Sequence, residues 1–84
     1  MSVVVFAFSE NASEEDQDRV RTQVLGMPGV RVVARISPDA TKPGLRRLWY
    51  ADVADDRTAS DLLKYLRARS DIESSDLPAQ RQLL

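Results

Sequence analysis

The run Val3-Val4-Val5-Phe6-Ala7-Phe8 constrains this chain more than any other segment. It is β-branched or aromatic almost throughout and apolar on both faces, the pattern of a central strand covered on at least one side. In a chain of 84 residues that strand commits the fold to one modest core, because a domain this small buries only about 60–65% of the surface its unfolded chain exposes. The remaining segments must then supply strands to flank it and helices to cover it.

Ser9 to Ala12 break the strand, and Ser13 followed by Glu14, Glu15 and Asp16 reads as an N-cap with an acidic first turn suited to the positive end of a helix dipole. The helix runs to about Leu25, with Val20, Val24 and Leu25 as its apolar stripe and Gln17, Asp18, Arg19 and Arg21 facing water. Gly26, Pro28 and Gly29 stop it. Val30 to Ser37 alternates, which places Val30, Val32, Ala34 and Ile36 on one face of a half-buried strand and Arg31, Val33 and Arg35 on the other. Pro38 to Gly44 reads as an exposed loop. Leu45 to Val53 alternates again, with Trp49, Ala51 and Val53 opposite Leu48 and Tyr50. A second capping pattern, Thr58 with Asp61, opens a helix whose stripe is Leu62, Leu63 and Leu66 and which ends in Arg67, Ala68 and Arg69. Ile72 to Leu77 forms a short last strand.

The order strand, helix, strand, strand, helix, strand is the split βαβ arrangement of ferredoxin-like α+β folds. Right-handed crossovers put both helices on one face of a four-stranded antiparallel sheet and leave the other face open. Residues 1–78 make the domain and 79–84 an extended C-terminal tail. Such a fold does not name a function.

Composition removes whole classes of chemistry. The chain has no Cys and no His, so disulfide frameworks, thiolate or imidazole metal sites, thiol nucleophiles and histidine bases are absent together. No cofactor or metal is implied. Twelve Lys plus Arg against thirteen Asp plus Glu give a net charge of -1, with no global pull toward nucleic acid or anionic lipid. No apolar run approaches the roughly 20 residues that span a bilayer, and no secretory leader opens the chain, which predicts a cytoplasmic protein or a processed segment of a secreted precursor. RNA recognition on such a sheet would want aromatic residues alternating along the third strand, whereas Arg46 to Val53 offers only Tyr50, with the anion Asp52 beside it. The loop Ser9 to Ser13 lacks the cysteines of a metal carrier and puts Glu10 where an acylphosphatase-like loop would cradle phosphate. Asp55 with Asp56, Glu14 to Asp16, Tyr50 and Tyr65 are the remaining catalytic candidates. Adjacent acids divide acid and base roles only when burial separates their pKa values, and acids at helix starts are ordinarily dipole partners. The chain is therefore expected not to be an enzyme.

Binding is the better expectation. With Val32, Ala34, Ile36, Trp49, Ala51 and Val53 turned to the helices, the open face presents Arg31, Val33, Arg35, Leu48 and Tyr50, a mixed apolar and basic surface. Val33, Leu48 and Tyr50 are its candidate docking residues. One occupant is a second copy, making a small homodimeric interaction or regulatory module.

The segment from Thr58 onward favours a different partner. It reads as a helix with Leu-Leu-x-x-Leu spacing, a break at Ser70-Asp71, the strand Ile72-Glu73-Ser74-Ser75-Asp76, then Leu77-Pro78-Ala79-Gln80-Arg81-Gln82-Leu83-Leu84. This resembles the propeptides of subtilisin-like serine proteases and the related stand-alone inhibitors, which share the strand order, a last strand of valine-glutamate-x-x-glutamate/aspartate type and an extended tail. Ser75 departs from the pattern, since that family has an apolar residue there. The resemblance implies an inhibitor or folding chaperone, monomeric when free, whose open sheet face docks on the protease. It further implies a tail lying product-like in the active-site cleft, with Leu84 in the primary specificity pocket, Leu83 and Gln82 in the next two subsites and Arg81 in the fourth. Physically this is strand addition, in which main-chain hydrogen bonds supply affinity and alternate side chains fill pockets.

Overall fold

The structure is a computed structural model that describes residues 2–39 and 41–77. Its elements are β1 (Ser2–Phe8), α1 (Glu14–Leu25), β2 (Val30–Arg35), α2 (Pro43–Arg46), β3 (Leu48–Val53), α3 (Asp56–Arg67) and β4 (Ile72–Asp76). The four strands form one antiparallel sheet in the order β2-β3-β1-β4, the ferredoxin-like arrangement expected from the sequence. The apolar run is indeed central, with β3 on one side and β4 on the other.

Both long helices cover the same face. Val20 and Val24 of α1 and Ala59, Leu62 and Leu66 of α3 are buried in one cluster with Val4, Phe6 and Phe8 of β1 and Trp49, Ala51 and Val53 of β3. Each Val, Leu or Phe side chain among them contributes about 1.5–3 kcal/mol when fully buried, so this cluster supplies most of the driving force for folding. Phe8 bridges the aromatic centre, edge-on to Phe6 at 5.7 Å and to Trp49 at 6.1 Å.

Local signals explain most of the boundaries. The Ser13 hydroxyl accepts the Asp16 N–H at 3.0 Å and the Asp16 carboxylate accepts the Ser13 N–H at 3.2 Å, a reciprocal capping box. Gly29 takes φ +88° in the turn into β2, and a Cβ there would stand 2.6 Å from the Thr58 hydroxyl oxygen. Only glycine meets both conditions.

Four expectations need correction. The cap of α3 is Asp55, not Thr58: the Asp55 carboxylate accepts the Thr58 N–H at 2.8 Å, so Thr58 is the donor and the helix starts earlier. Leu45 and Arg46 belong to the short helical turn α2 rather than to β3, because Pro43 at its first position and the Leu45 N–H to Lys42 carbonyl bond of 3.1 Å close a turn there. Gln17 faces the core and is 2% exposed, whereas Leu25 sits outside it among the exposed residues.

The fourth correction concerns β2. Val30 pairs with Val53 and Val32 with Asp52, so Arg31 is an extra residue in a bulge and the strand's faces exchange beyond it. Val33 pairs with Ala51 and Arg35 with Trp49, both on the helix side, while Val32 and Ala34 lie on the open side. Val33 is accordingly 5% exposed, against 42% for Val32 and 44% for Ile36. A period-two pattern carries no mark of an inserted residue.

Candidate functional site

The open sheet face is the candidate site, and cross-strand pairing defines it, because directly opposed residues in an antiparallel sheet share a face. Ala7 lies opposite Leu48, Val5 opposite Tyr50, and Val3 opposite Asp52. On the β2 side Val32 continues the row from Asp52 and Ala34 the row from Tyr50; on the β4 side Ser74 continues from Ala7 and Asp76 from Val5. Ile36 extends the face past the end of β2, its N–H bonded to the Leu48 carbonyl at 3.0 Å.

This is a different surface from the one the alternation implied. Leu48 and Tyr50 occupy it as expected, but Val33 does not; it is core, and Val32, Ala34 and Ile36 take its place. Arg35 also leaves. Its guanidinium lies 4.9 Å from the Trp49 ring centre, donates to the Arg46 carbonyl at 3.2 Å and pairs with Glu14 at 2.6 Å. The β3 and β1 rows are thus apolar apart from Asp52; no residue that strand pairing aligns on this face is Lys or Arg, and Arg31 stands exposed in the β2 bulge, outside the strand pairing.

Asp52 is the one carboxylate in the middle of the sheet. Its direct neighbours are Val3 on β1 and Val32 on β2, neither of which offers a side-chain donor, and its Oδ1 is buried with no hydrogen-bond partner. Ser75 Oγ is likewise buried and unpartnered, on the opposite, helix-covered face, where Ser75 pairs with Phe6.

The catalytic candidates are engaged in structure. Asp55 caps α3, and the Thr58 N–H holds its carboxyl below the usual carboxylate range. Asp56 accepts a hydrogen bond from the Ser2 hydroxyl. Glu14 is lowered chiefly by the hydrogen bond from Arg46, with Arg35 reinforcing it. Asp16 closes the α1 capping box and also pairs with Arg19, as does Glu15. Tyr65 donates to Gln23 at 2.7 Å and accepts from Arg69 at 3.2 Å on the helix side, while Tyr50 lies on the open side, so the sheet separates the two phenols. A shallow cavity of about 300 Å³ lies beside the α1 N-terminus, lined by Glu10, Ala12, Glu14, Gln17, Arg46 and Arg47. Among the described residues no cluster of three or more Asp or Glu has metal-holding geometry, and no helix is long and apolar enough to cross a membrane.

The tail positions Arg81, Gln82, Leu83 and Leu84 lie outside the described residues, as does the boundary at Pro78. No family model, no curated protein and no solved structure matches the chain.

Proposed function

We propose that this chain is a non-enzymatic binding domain that docks the open face of its sheet on a subtilisin-like serine protease, as a propeptide-like inhibitor or folding chaperone. The observation that carries the reading is the open face: a small domain leaves Val5, Leu48, Tyr50, Val32 and Ile36 side by side on one surface, uncovered by either long helix. Contiguous apolar surface on a small domain marks a place where another macromolecule sits. The last-strand segment Ile72-Glu73-Ser74-Ser75-Asp76 supports the choice of partner, since it leads from the edge of that sheet into the tail. Arg81 to Leu84 would then occupy the protease cleft as an added strand while the sheet face holds the body in place. A preformed body carrying a short extended segment orders few residues on binding, which favours affinity.

Titration against a subtilisin-type protease with a chromogenic peptide tests this reading. The full chain should inhibit competitively, with activity recovering over hours as the inhibitor is digested. Removal of residues 79–84 should leave the fold intact and abolish inhibition, and Tyr50→Asp should weaken it through the sheet face. Absence of inhibition at micromolar concentration, with a dimer in sedimentation, would instead favour the homodimeric module.

A further inference from the structure

We infer that the open face is built to receive a basic side chain, an Arg or Lys that its partner presents within an apolar surface and that lands on Asp52. The inference rests on the protease-binding reading and adds the chemistry of the contact.

Asp52 sits on β3, a central strand, in the row Val3–Asp52–Val32 that crosses β1, β3 and β2. A carboxylate oxygen that is buried and unpartnered carries an uncompensated desolvation penalty in the free protein. Asp52 as a residue is half-buried, but its Oδ1 is in that state, with valines on both sides. The same position could hold a Val or Thr at no such cost, since its neighbours across both strands are apolar. Of the two cations that alternation sets on this face, Arg35 is instead on the far side of the sheet and committed to Glu14, while Arg31 is the exposed bulged residue.

Charge decides between occupants. The face carries Asp52 and Asp76; no residue that strand pairing aligns with them is Lys or Arg, and the nearest cation along β2 is the exposed Arg31 in the bulge before Val32. A second copy apposed through this face would set Asp52 and Asp76 against another Asp52 and Asp76, where like charges repel. A polyanion such as RNA meets the same repulsion. A partner surface that is apolar around one or more basic residues satisfies both the valines and the orphan oxygen.

The test compares the full chain with Asp52→Asn and Asp52→Leu in the protease titration, at low and high salt, alongside denaturant unfolding of the free proteins. Both variants should remain folded, with the Leu variant at least as stable as the parent because the buried oxygen is gone. Both should bind roughly tenfold or more weakly, the range expected when one member of a buried charge pair is removed. High salt should weaken the parent more than Asp52→Leu. Should the parent inhibit while both variants match it at every salt concentration, the Asp52 contact is wrong and the protease reading stands. Should the parent itself fail to inhibit, the protease reading falls and this inference falls with it. A parent dimer that Asp52→Leu tightens would overturn the basic partner in favour of a second copy.

Discussion

The indole N–H of Trp49 donates to the side-chain oxygen of Gln17 at 3.0 Å, and both residues are buried, which makes this a polar link between α1 and the middle of the sheet. It explains why a glutamine stands on the core face of a helix whose other inward residues are Val20 and Val24. A buried indole N–H needs an acceptor, and no backbone carbonyl is available from the side of a helix.

Gln17→Leu should therefore destabilise the domain by about 1–3 kcal/mol, despite adding apolar volume to the core, because it strands the Trp49 donor. Trp49→Phe in the same background should recover part of that loss. Urea unfolding of the two single variants and the double variant measures the coupling, expected between about 0.5 and 3 kcal/mol. A coupling near zero would mean the bond contributes nothing to stability.

The exchanged faces of β2 give a direct contrast between neighbours. Val33→Thr places a hydroxyl in the core and should cost about 1–3 kcal/mol. Val32→Thr, on the open face, should stay within about 0.5 kcal/mol of the parent. If the denaturant midpoints came out in the reverse order, the bulge at Arg31 would be misplaced.

Ser75 offers a stabilising substitution. Its hydroxyl is buried without a partner opposite Phe6, while its carbonyl accepts from Arg67 at 3.3 Å through the backbone and survives any side-chain change. Ser75→Ala should raise stability by about 1 kcal/mol, read as a higher midpoint at an unchanged denaturant slope.

Acid should destabilise the domain through three carboxylates. Glu14 is held low chiefly by Arg46, Asp55 by the Thr58 N–H, and Asp71 by its hydrogen bonds from Arg69 at 2.9 and 3.0 Å. A carboxyl whose pKa is lower folded than unfolded lends stability that is complete above the unfolded value, about 4, and is lost as pH falls through the folded value. The midpoint for unfolding should thus decline from about pH 5 downward. Asp71→Asn should lower it at neutral pH and flatten the acid limb, and an acid limb identical to the parent's would remove Asp71 from the account.

Much of the fold was legible because its signals are local. The apolar run of β1, the Ser13 capping box, the Gly26 to Gly29 stop and the Leu62 and Leu66 stripe each act within a few residues, and each stands where it was expected. The candidate site was legible only in part. Leu48 and Tyr50 could be placed because β3 pairs without a break between β1 and β2 along that stretch. Alternation sets Val33 on the open face and Val32, Ala34 and Ile36 in the core, the reverse of the structure, because one bulged residue inverts every side chain after it. Nothing near Gln17 in sequence marks it as a core residue, since its partner lies 32 positions away.

Sequence alone thus determined the order of the strands and the two long helices, the central place of Val3 to Phe8, and the absence of thiol and imidazole chemistry, since these depend on residue type and near neighbours. The tertiary structure decided what the open face is made of. Whether Val32 or Val33 enters the core, whether Arg35 reaches solvent or Glu14, and whether the oxygen of Asp52 finds a partner all depend on how β2 registers against β3. That register is set by packing across the sheet, and a period-two alternation fits either face equally well.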